Sequence, residues 1–389
     1  MDGRIRWATP VSPERWFDAE RLERSRAYHR PLVRAATVRL LSQALLLLVV
    51  AVVLGALIEP DDSGWRDAVV AGVLVALAWW LPKLAVDSWM EFHHEPRFDG
   101  STLPIERFVA SSLVSTLGVV LVAALAGPTF GALVNATPWW PVIVSFGLGA
   151  IAISTGPAVA RAAHRAAPLD APTEADLQLV AEAAGVSRIA WGRLDASIER
   201  GLNAVSFGGA RSFGGARSRR RRSHRREPLV LCSEELLAAD PDLRDFVVAH
   251  EIAHLRRRHH AVALTASLAG TAAEVMGLWI IDRMVFTPLG RGVEDPRHWP
   301  LATAVLAVIA LPVGLLEAWV SRRHERQADL DAASIVGPPR LADLRSMHEH
   351  DRSDLDPGAM ARLLAHHPPP AERLLLAERS AARRRRSGG

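Results

Sequence analysis

Residues 40–58 read LLSQALLLLVVAVVLGALI, and the run from Leu45 to Leu54 carries no polar side chain on any face. A helix that is apolar all round belongs in a bilayer or deep inside a large core. Five more blocks follow, Ala68–Val86, Val109–Gly127, Trp140–Ala160, Ala261–Val285 and Leu301–Val320. Each is close to the roughly 20 residues a helix needs to cross the hydrocarbon. The reading is six membrane spans. The alternative, buried core helices of a soluble protein, would show apolar residues at helix or strand period, whereas here they come in blocks.

Trp65, Trp79, Trp80, Trp139, Trp140, Trp279, Trp299 and Trp319 lie mostly near the block ends, where an indole prefers the headgroup region. A stretch of some 35 residues rich in charge precedes the first block and no small-x-small cleavage site follows it, so it reads as a retained anchor rather than a signal peptide. Arginine sets the orientation. Arg4, Arg6, Arg15, Arg21, Arg24, Arg26, Arg30, Arg34 and Arg39 precede the first span, and Lys83, Arg97 and Arg107 lie between the second and third. The opposite loops Glu59–Asp67 and Pro128–Trp139 hold a single Arg between them, so both termini and the large polar segments are expected on the cytoplasmic side. Lys83 is the only lysine, a sign of a GC-rich genome, and a bacterial cell membrane is the expected location. Cys232 is the only cysteine, which rules out an intrachain disulfide.

The expected organisation is a cytoplasmic segment over 1–36, spans one to four over 37–160, a first polar part over 161–260, spans five and six over 261–320, and a second polar part with a basic tail over 321–389. Within the first polar part, Pro172 to Ala184 reads as a capped amphipathic helix closed by Gly185. Ile189–Leu194, Asn203–Phe207 and Leu229–Cys232 read as short strands. Asp240-Pro241-Asp242 opens a further helix. Ser206–Arg211 and Ser212–Arg217 repeat Ser-Phe-Gly-Gly-Ala-Arg and run into Arg219–Arg222, Arg225 and Arg226. This reads as a solvated insertion. It lacks the aromatic interleaving of a stacking platform, so no specific nucleic-acid partner is expected.

His250-Glu251-Ile252-Ala253-His254 is H-E-x-x-H on that last helix. Residues four apart on a helix lie one above the other, so two imidazoles can be aimed at one zinc ion. Glu251 between them is placed to take a proton from the attacking water and return one to the leaving amine. A catalytic zinc needs a third protein ligand. His260 has metzincin spacing, but Arg257 occupies the position where a glycine would turn the chain, so His259 and His260 are read as residues near the membrane interface. Glu325, just past the sixth span, is the better third ligand, with an ion pair to Arg322 as the plain alternative. Asp329, one turn on, could accept from the free ring N–H of a ligating histidine. Glu274 and Glu317 lie at or near membrane depth and are expected to face inward, lining a chamber or pairing within the bundle.

With these motifs the sequence resembles the membrane-embedded zinc metallopeptidases that include the type I CaaX prenyl protease, gluzincins with H-E-x-x-H, a distant E-x-x-x-D and six or seven spans. Asn203-Ala204 with Gly208 is similar to the family's N-A-x-x-x-G edge strand. His367-Pro368, followed by Arg373, is similar to its H-P…E-R segment. The resemblance implies a mainly α polytopic membrane protein with a split gluzincin-type domain containing a small β-sheet. It implies one zinc held by His250, His254 and Glu325, and a substrate lying along the Asn203 strand. His367 and Arg373 would bind substrate and stabilise developing charge. The expected function is metalloendopeptidase action on membrane-associated proteins or peptides. The rival readings are an inactive peptidase-like scaffold and a metal-binding transporter. Prenylated substrates are not expected in a bacterial source.

Overall fold

The computed structural model describes residues 11–59, 64–98, 104–136, 167–194, 202–207, 228–289, 292–350 and 353–387, with isolated positions between 139 and 147. Its helices are α1 Ala19–Leu57, α2 Trp65–Trp89, α3 Ile105–Ala136 and α4 Ala171–Ala183. Strands β1 Ala190–Arg193, β2 Ala204–Phe207 and β3 Leu229–Cys232 follow. The remaining helices are α5 Glu234–Leu237, α6 Pro241–Arg257, α7 His259–Ile281, α8 Trp299–Ile335, α9 Leu341–His350, α10 Ala359–Leu364 and α11 Pro370–Ser387. Among the described residues, five helical segments are long and apolar enough to cross a membrane: Ala19–Leu57, Trp65–Phe98, Ile105–Thr129, His259–Phe286 and Pro296–Ile335. They contain the first, second, third, fifth and sixth expected spans. The fourth, Trp140–Ala160, lies almost entirely outside the described residues, as does the Gly/Arg insertion beyond Phe207.

The chain divides into two compact units. One, Ala27–Gly149 with Leu268–Val313, holds most of the apolar helix length. Leu45, Leu48 and Val52 of α1 are all more than 60% exposed, as lipid-facing side chains must be. Small residues bring α2 against α3, since a Cβ on Gly127 would stand 2.6 Å from the Ala68 carbonyl oxygen.

The other unit, Met1–Arg26, Ala150–Ser267 and Gly314–Gly389, contains every residue proposed above to carry chemistry. Its sheet has the order β1-β3-β2, with β1 parallel and β2 antiparallel to the central β3. All four residues of β3 are buried, which suits an uninterrupted Leu-Val-Leu-Cys run. Phe246, Val248, Ala249, Ile252 and Leu255 of α6 pack with Val230, Leu177 and Ala332 in one core cluster. That packing orients the opposite face of α6.

Both expected helix starts are capped. The Asp170 carboxylate accepts from the Thr173 amide at 2.9 Å, and that of Asp240 accepts from the Asp242 amide at 3.0 Å. Between α6 and α7 the chain breaks at Arg258, whose φ of 60° is left-handed. A non-glycine residue there costs about 1 kcal/mol or more. The break swings His259 back beneath His254.

Candidate metal centre

The period of α6 puts His250 and His254 on its inner face, 6% and 8% exposed, with their Nε2 atoms 3.0 Å apart. Glu325 reaches them from α8, with Oε2 3.3 Å from His250 Nε2 and Oε1 3.3 Å from His254 Nε2. It makes no ion pair with Arg322, whose guanidinium donates instead to the Leu363 and Ala365 carbonyls. These three side chains can hold a metal ion. Bond lengths of 2.0–2.2 Å and tetrahedral angles call for donor atoms about 3.3 Å apart, so the triangle fits zinc with little adjustment. Electrostatics agree. Burial works against a charge on His250, but Asp329 and Glu325 outweigh it and lift the imidazole to about 10, so the pocket asks for a cation at that point.

The supporting groups are equally specific. His250 Nδ1 lies 2.9 Å from Asp329 Oδ1, which leaves Nε2 turned to the metal position. Arg373 on α11 grips Asp329 with two bonds, Nε to Oδ2 at 2.9 Å and Nη2 to Oδ1 at 2.6 Å. Burial disfavours the Arg373 charge, but Asp329 more than compensates and its pKa is raised. On the other imidazole, His254 Nδ1 meets His259 Nδ1 at 3.0 Å, and His259 stacks flat on His324 with ring centres 4.1 Å apart. His259 is 4% exposed and is built into the centre.

Glu251 Oε2 accepts a hydrogen bond from Ser206 Oγ at 2.7 Å, and the same hydroxyl lies 2.9 Å from His260 Nε2. His367 comes from the segment between α10 and α11, with Nδ1 3.0 Å from Glu325 Oε2. Its side chain is otherwise 71% exposed. Asn203 leads into β2, its amide donating to Ser233 Oγ at 3.1 Å and its carbonyl accepting from the Ser233 amide. A cavity of about 980 Å³ opens over the centre, lined by Asn203, Ser206, Glu251, Glu325, His367 and Arg373 among others.

The structure thus brings His250, Glu251, His254, Glu325, Asp329, His367, Arg373 and Asn203 to one cavity or its immediate support. Ser206, His259, His260, His324 and His348 also belong there, although the sequence reading gave them no part. The His259 and His260 side chains carried a usable signal, since the turn after α6 had to put them near His254. Ser206 had none apart from its place on the Asn203 strand.

The structure thus combines helices long and apolar enough to cross a membrane with a buried His-His-Glu triangle that can hold a metal ion. Residues 225–380 match Peptidase family M48, a family of zinc metallopeptidases. A protease HtpX homologue of Aeropyrum pernix is 31% identical over 114 residues, 27% of this chain and 35% of that protein. The chain therefore spans about a third of the length of this curated relative. The crystal structure of S. mikatae Ste24p superposes with a TM-score of 0.66 at 17% identity, over 95% of this chain and 91% of that one, and shows the shared fold. Residues 225–380, which hold all three candidate ligands, are the part of the chain that resembles Peptidase family M48.

Proposed function

We propose that this chain is an integral-membrane, zinc-dependent endopeptidase acting on membrane-associated proteins or peptides. The observation that supports it best is the convergence of His250, His254 and Glu325 with Glu251 beside them on the cavity wall. Zinc, when bound, supplies Lewis acidity, lowering the pKa of water and polarising the scissile carbonyl. Glu251 takes the proton of the attacking water and passes it to the leaving amine. The Ser206 hydroxyl fixes one oxygen of that carboxylate and leaves the other for proton transfer. Asp329 holds the His250 ring and is itself held by Arg373, whose positive charge beside the cavity also favours a developing oxyanion. His367 is exposed enough to donate to the substrate carbonyl, moving from its contact with Glu325.

Among the described residues, no strand pairs with the outer edge of β2, and Asn203, Ala204, Val205 and Ser206 line the cavity. An extended peptide added along that edge would pass Glu251. The arginine distribution supports a cytoplasmic catalytic side in a bacterial cell membrane. The peptidase domain is then split in sequence by spans five and six. The test is Glu251→Gln: near-stoichiometric zinc with cleavage lowered by at least about 10²-fold supports the reading, and full activity overturns it.

A further inference from the structure

We propose that Glu317 forms a cation-recognising subsite, which selects peptides carrying a Lys or Arg side chain three or four residues from the scissile bond. The inference rests on the peptidase reading above and adds a substrate class to it.

Glu317 lines the same cavity as the metal centre, whereas Glu274 does not. It stands on α8 in Leu315-Leu316-Glu317-Ala318-Trp319-Val320, the last apolar stretch before the polar end of that helix. Ala263, Leu264 and Ala266 of α7 line the same cavity and give it apolar surface. Nearly every other carboxylate around the centre is engaged. Glu251 has Ser206, Glu325 has the histidines, and Asp329 has His250 and Arg373. Glu317 has no hydrogen bond or ion pair among the described residues, and the cavity residues nearest it in sequence, Ser321 and Val320, are uncharged.

A carboxylate in a partly apolar cavity is less well solvated than in open water, and an opposite charge brought to it is screened less. A Lys or Arg side chain suits such a cavity twice over, its stem covering apolar lining and its head meeting the carboxylate. Spacing sets the position. Glu317, Ser321, His324 and Glu325 all line the cavity, and eight residues of helix place Glu317 about 12 Å from Glu325 along the axis. An extended peptide covers about 3.3 Å per residue, so that distance corresponds to three or four residues.

The experiment uses the full-length protein in lipid nanodiscs and quenched-fluorescent peptides with a neutral Ala/Ser/Leu background, in which one Lys or one Gln is walked along the chain. The readout is the ratio of kcat/KM for each Lys peptide to its Gln partner, taken within each variant so that a general loss of activity cancels. Expected is a ratio of about ten at one or two adjacent positions in the wild type, from a charge-assisted contact. In Glu317→Gln that ratio falls to near one, and in Glu317→Arg a Glu peptide becomes preferred over the Lys peptide. A ratio near one everywhere, or a Lys preference that survives both substitutions, overturns the subsite while leaving the peptidase reading intact. Affinity of the same peptides for Glu251→Gln protein, measured by anisotropy, gives the ratio without turnover. If nothing is cleaved the peptidase reading fails, yet the subsite is still decided.

Discussion

At the scale of single residues, the centre depends on a chain of charges, from Arg373 through Asp329 to His250. Asp329→Ala removes the partner that fixes the His250 ring, and zinc affinity should fall about 10- to 100-fold in a chelator competition. The same change strands a buried guanidinium, so thermal unfolding should report a loss of about 3–5 kcal/mol. Restored affinity and stability in Asp329→Glu would separate the ion pair from mere packing. His348, buried at 4% exposure, is a second case. Burial, with Arg373 nearby, pushes its imidazole down to about 3 from an ordinary 6.5. Between those values the unfolded chain binds a proton that the folded chain refuses, so stability is full above pH 6.5 and declines as pH falls toward 3. His348→Gln should flatten that limb of a Tm-against-pH curve, and an unchanged limb would rule the residue out as its source. His250, Glu251 and His254 were legible in the sequence because one helical turn fixes their spacing. Ser206 and His348 were not, since tertiary packing alone brings a strand hydroxyl and an α9 ring to that cavity.

Elements carry the positioning. Helix α6 could be read almost to the residue, from its Asp240 cap to its apolar face, but its end could not, because Arg258 adopts a left-handed φ with no glycine to announce it. Arg258→Gly should therefore be tolerated and should raise stability by a few tenths to about 1 kcal/mol in denaturant titrations; a clear loss would mean that the arginine side chain is needed. Strand β3 was visible as a short apolar run, while its central place between a parallel and an antiparallel neighbour was not. Cys232 at its end is fully buried, and burial, with Glu251 as a lesser contributor, pushes its thiol up to about 12. Alkylation at pH 8 should therefore be negligible in the folded protein and rapid once it unfolds, which mass spectrometry can follow.

For the whole molecule, the apolar blocks announced the spans because a bilayer imposes both length and composition. How the polar halves on either side of spans five and six form one unit was not legible, since a contact between residues 250 and 325 leaves no local periodicity. Only the resemblance of scattered motifs to a known family joined them. That junction is what zinc would secure, and saturating metal at about 100 times its Kd should add about 2.7 kcal/mol to the stability of the full chain. The most direct measurement is zinc content and peptide cleavage in wild type and Glu325→Ala, purified in parallel and dialysed against a weak chelator. The wild type should retain one zinc per chain and cleave, and the variant should lose both together. A variant that keeps its zinc and cleaves at the wild-type rate would contradict the account.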